Sequence, residues 1–71
     1  MDQEDRDKLK ALLEYWIKHN KEHGQEFKEW AEKARGPEDS SVYNDLMAAA
    51  AEMDRANERL ASALTGLAGS A

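Results

Sequence analysis

Two histidines, His19 and His23, stand four residues apart in the stretch HNKEH, with Asn20 between them. On a helix that spacing stacks the two imidazoles along one edge, and Glu26 continues the edge at i+7. Imidazole and carboxylate are ligands for divalent metals, and neutral imidazole with carboxylate support suits Ni, Zn or Cu(II). The chain has no cysteine, so a thiolate site is excluded, and so is a disulfide. Two ligands on one turn need others from a second helix or a second chain. The candidate metal group is therefore His19, His23, Glu26 and Glu52, with Ni or Zn as the cofactor. Such a site has modest affinity, coupled to assembly of the bundle.

The same residues also support a simpler reading. Asn20 and His23 lie inside an apolar helical sector, and Asn57 interrupts the apolar stripe of the second half. If the turn centres near Glu38, facing positions sum to about 76, which sets Met53 opposite His23 and Asn57 opposite His19. Both helices then break their apolar pattern at one height. A layer of Asn20, His23 and Asn57 hydrogen-bonded across the core would fix register or oligomer state, as single polar residues do in coiled coils.

Catalytic alternatives fail on what they need. HNKEH matches the H-x-x-E-H pattern of inverted zinc proteases, but that chemistry also requires a distant third ligand and a body able to form a cleft. No Glu-x-x-His of the ferritin kind occurs. Ser40 and Ser41 have no nearby base. No enzymatic activity is expected.

Two helices must position these groups. Leu9, Leu12, Leu13, Trp16, Ile17, Asn20, His23, Gly24, Phe27, Trp30, Ala31 and Ala34 recur at three- and four-residue steps. They fill a sector of about 140°, with charged residues on the rest of the circumference. Asp2 or Asp5 can cap this helix. Gly24 weakens it by about 1 kcal/mol relative to alanine, and is expected where another helix approaches closely. The stretch ARGPEDSS then breaks the pattern. Gly36 suits a left-handed position beyond the helix end, Pro37 cannot continue the helix, and Ser40 or Ser41 can cap the next one. A second stripe follows: Val42, Leu46, Ala49, Ala50, Met53, Ala56, Asn57, Leu60, Ala63, Leu64 and Leu67, with Tyr43 and Met47 beside it. Its alanines allow close packing. There is no strand-like alternation.

One domain over 1–71 is expected, an all-α antiparallel hairpin: helix 1 over about 3–35, a turn at 36–40, helix 2 over about 41–66 and a frayed tail at 67–71. Chains near 71 residues bury only about 60% of their unfolded surface and need support. Without disulfides, a metal or a partner must supply it. Leu13, Trp16, Ile17, Phe27, Trp30 and Met53 offer more apolar area than one seam can cover, so two hairpins are expected to form a homodimeric four-helix bundle. Trp16 and Trp30 are expected at the energetic centre of that packing. A protein partner is the other candidate for the same surface.

The charge excludes other classes. With 15 acidic and 10 basic residues the net charge is −5, and no basic stripe exists to neutralise phosphates, so nucleic acid is not an expected partner. No apolar run approaches the roughly 20 residues of a membrane span. The opening MDQEDRDK lacks the positive, then apolar, character of a signal peptide. A cytoplasmic protein is expected.

The segment LLEYWIKHNKEHGQEFKEWAEKA resembles a small prokaryotic helical-hairpin domain with the pattern H-W-I-x-H-N-x-x-H, then Phe-x-x-Trp-Ala, joined to an alanine-rich helix with Ala-Asn-x-x-Leu. Trp16, Ile17, His19, Asn20, His23, Phe27, Trp30, Ala31, Ala56, Asn57 and Leu60 match it, over roughly residues 9–64. The family's first histidine is Tyr15 here. The resemblance implies the hairpin and an association with metal-handling proteins, nickel among them. The leading expectation is divalent metal binding or delivery through the His-x-x-x-His edge. The alternative is a helical self-association or protein-interaction module whose polar layer only sets register.

Overall fold

The computed structural model describes residues 1–69. Two helices account for nearly all of it: α1, Gln3–Lys33, and α2, Ser40–Gly69. They lie antiparallel against each other in a rod of 53 × 14 × 13 Å. The hairpin expected from the sequence is the observed architecture.

Helix α1 starts where an acceptor meets its free N–H groups. Asp2 has extended backbone and its carboxylate accepts from the Asp5 N–H at 2.8 Å. Glu4 and Asp5 in the first turn face the positive end of the helix dipole. At the other end the helix tightens instead of reversing. The Ala34 N–H reaches the carbonyls of Trp30 and Ala31, and the Arg35 N–H that of Glu32. Ala34 stays right-handed at φ −84°.

Two expectations about the turn are corrected here. Gly36 does not adopt a left-handed conformation, since no glycine among the described residues has positive φ. The three-residue hydrogen bonds already satisfy the terminal carbonyls, so no left-handed cap is required. Ser40 is the first residue of α2 rather than a residue outside it, because the Asp39 carbonyl accepts from the Tyr43 N–H at 3.0 Å and opens the helical ladder. The expected tail is helical through Gly69, and its last two residues lie outside the described ones.

The seam between the helices is built from small side chains. Leu13, Gly24 and Ala31 of α1 and Ala50 and Asn57 of α2 are buried. No large side chain among the described residues is fully buried. Ile17, Phe27, Met53, Leu46, Leu60 and Leu64 are half-buried. Trp16 and Trp30 do not sit in this seam: they are 39% and 60% exposed. The sector of about 140° is wider than one neighbouring helix can cover, and both indoles fall on its outer side.

Gly24 is buried where α2 passes α1. A methyl group built on it would meet Met53 Cβ at 3.7 Å and the Ala50 carbonyl at 4.0 Å, ordinary van der Waals distances. The helices approach closely there, yet the space admits alanine.

Candidate metal centre

The imidazoles of His19 and His23 converge. Their Nε2 atoms stand 2.9 Å apart, and the rings meet edge to face with centroids 4.3 Å apart. Rigid helical backbone sets this, since i and i+4 side chains project over the same turn. At that separation one ring donates and the other accepts, so at least one of the two is neutral. His19 is exposed and His23 half-buried.

The pair is the middle of a longer aromatic column. Tyr15 stacks on His19 at 5.3 Å and 16°, and Phe27 lies tilted against His23 at 6.1 Å. Tyr15, His19, His23 and Phe27 thus run at four-residue steps along one edge of α1. The spacing was present in the sequence as a signal for this column. Tyr15 stands in the column at the place where the resembling pattern has a third histidine, and its phenol oxygen is a much poorer metal ligand at neutral pH.

The carboxylates do not join. Among the described residues no third His, Asp or Glu gathers with the two imidazoles into a metal-binding group. Glu26 and Glu52, expected as completing ligands, therefore lie outside it. Glu26 sits about 20° from His19 around the helix but nearly two turns further along. What α1 offers by itself is two nitrogen donors with open positions on the solvent side.

Asn20 and Asn57 meet as expected. Asn20 Nδ2 donates to Asn57 Oδ1 at 3.0 Å, and Asn57 Nδ2 donates to the Ile17 carbonyl at 3.1 Å. Asn57 is 8% exposed, and no buried side-chain polar atom among the described residues is left without a partner. One amide from α2 thus holds both a side chain and the main chain of α1. The register agrees with the expected sum of about 76, though the partner of Asn57 is Asn20 rather than His19. Met53 lies over Gly24, one residue beyond the expected His23.

The remaining polar features are superficial. Lys8 pairs with Glu4 at 3.5 Å and Arg35 with Glu32 at 3.4 Å, all well exposed. Lys33 lies 4.1 Å over the Trp30 ring and Arg35 5.6 Å from that of Tyr43. An open groove of about 350 Å³ near the start of α1, lined by Arg6, Lys10 and Leu67 among others, is more than two helical turns from His19.

Residues 9–67 match the family described as a domain of unknown function, DUF8180. The chain belongs to that family. No curated protein and no solved structure matches it. The DUF8180 match spans both helices, the histidine pair and the asparagine bridge. No helix among the described residues is long and apolar enough to cross a membrane.

Proposed function

We propose that this DUF8180 chain is a non-enzymatic helical module that binds a divalent cation through His19 and His23. The observation that carries the reading is the 2.9 Å approach of the two Nε2 atoms. An ion about 2.0–2.1 Å from each nitrogen would see them about 90° apart, whereas a tetrahedral angle needs roughly 3.3 Å between the donors. A right angle is the cis angle of square-planar and octahedral coordination, which favours Ni(II) or Cu(II) over Zn(II) at this spacing. Holding an ion would require both Nε2 atoms free of hydrogen, with each neutral imidazole carrying its hydrogen on Nδ1. Two donors alone give modest affinity, which suits transfer of a metal better than permanent storage.

A second reading has its own support. The Asn20–Asn57–Ile17 bridge fixes register without any ion. On that reading the module only associates, and the histidines are an exposed hydrogen-bonded pair. Calorimetric titration with NiCl2 and ZnCl2 separates the two. Metal binding predicts saturable heat with Ni ahead of Zn, lost in His23→Ala. No heat with either ion leaves the association module alone.

A further inference from the structure

We propose that two copies of this chain pair antiparallel about a two-fold axis level with residue 21, so that each copy's histidine pair is completed by the other's. The last clause rests on the metal reading above; the pairing itself rests on surface area and symmetry.

The area comes first. A compact monomer of 8.0 kDa exposes about 4,450 Å² by the usual size scaling. This hairpin exposes 5411 Å². The excess is close to the roughly 800 Å² per partner of a standard interface.

The occupant is a second copy because the uncovered stripes are self-complementary. On α1, Leu12, Trp16, His19, His23 and Trp30 lie about 100° round from the buried seam residues. Leu12 is 44% exposed, and both indoles are exposed as well. On α2, Ala49, Ala56 and Ala63 lie about 110° round from Ala50 and Asn57 in the same rotational sense. Antiparallel helices facing each other turn that shared sense into one broad face, so both stripes belong to the same side of the hairpin.

A perpendicular two-fold at residue 21 sets position i of α1 opposite position 42 − i of the second copy. His19 then shares a layer with the partner's His23, and Leu12 with the partner's Trp30. Trp16 faces the partner's Glu26, an indole N–H donor against a carboxylate. The alanines obey the same axis. Ala56 meets its own copy and Ala49 meets the partner's Ala63, small against small. The Asn57–Ile17, Asn57–Asn20 and Gly24–Met53 register puts residue 56 within half a helical turn, about 3 Å, of the height of residue 21. Two stripes on different helices thus share one axis. Helix pairs 90–110° apart are what a square, all-antiparallel four-helix bundle requires. Four imidazoles fall in its α1–α1 layer, enough to satisfy an ion that one hairpin leaves half-coordinated.

The test uses the intact chain, first in chelator. Sedimentation at about 50 µM is expected to give twice the 8.0 kDa chain mass; a monomer overturns the pairing. The native chain has no cysteine, so Ala56→Cys reports the axis directly. Air oxidation is expected to link it into a covalent dimer, while Glu58→Cys, on the opposite side of α2, stays unlinked. Linkage at 58 and not at 56 overturns the axis even if the chain dimerises. NiCl2 titration is then expected to saturate at one ion per two chains. One ion per chain overturns the shared site. A dimer linked through position 56 that takes up no Ni supports the pairing of helices and overturns the metal reading instead.

Discussion

The two sides of α1 use different chemistry. The side against α2 is made of Leu13, Gly24, Ala31 and the Asn20 amide, small or polar groups that let the helices approach and fix their register. The outer side carries Leu12, Tyr15, Trp16 and Trp30, all more than a third exposed, with the histidine pair among them. Several large apolar side chains, both indoles among them, therefore keep much of their area outside the hairpin's own seam. The seam encodes which positions meet; the outer stripe leaves apolar area in water. A construction of this kind predicts that substitutions on the two sides fail differently.

The largest expected effect is on the outer side. Trp30→Ala removes an exposed indole, so the register of the hairpin should survive, but a tryptophan covered by a partner in an interface commonly contributes about 2 kcal/mol or more. Association should weaken by about 30-fold, read by sedimentation across a concentration series. Unchanged association would place Trp30 outside any interface and remove the contrast between the sides.

The seam should respond next. Asn57→Ala deletes both bridging hydrogen bonds and leaves the Asn20 amide without its partner, at a cost of about 1–3 kcal/mol in denaturant unfolding. Replacing Asn20 and Asn57 together by leucine should recover that loss or exceed it, while broadening the distribution of oligomers. A double variant as destabilised as the single one would mean that the amides do more than set register.

Gly24→Ala should stabilise α1 by up to about 1 kcal/mol, because a methyl group fits at that point of the seam and helix propensity then dominates. A loss of stability would show that the helices come closer in solution than 3.7 Å implies. The smallest effect belongs to the charged rim. Lys8→Ala breaks an exposed i, i+4 pair with Glu4 and should change the melting free energy by less than about 0.5 kcal/mol.

Much of this division was legible in the sequence, and the illegible parts share a cause. Three- and four-residue spacing placed both helices, and the interrupted stripes brought Asn20 and Asn57 to one height, because helical periodicity is a property of the local chain. The exposure of Trp16 and Trp30 was not legible. Periodicity says that a residue lies in the apolar sector, not which of two neighbouring helices covers it. Gly36 and Ser40 misled for a related reason. Glycine permits a left-handed turn and serine permits a cap, but the Ala34 and Arg35 hydrogen bonds and the Asp39 carbonyl satisfied the helix ends first. The histidines were found by spacing. That Glu26 and Glu52 do not gather with them was not legible, because spacing and level say which residues share a region of the hairpin but not whether their side-chain ends converge.

Thermal melting in NiCl2, ZnCl2 and chelator tests the metal reading of His19 and His23 most directly. At a hundredfold excess of ion over its dissociation constant, mass action should stabilise the folded chain by about 2.7 kcal/mol, a clear rise in Tm over the chelated protein. The rise should be larger with Ni than with Zn, and absent in His23→Ala. Three superimposed curves for the parent chain would contradict the metal reading and leave the pair as a hydrogen bond on the surface of α1.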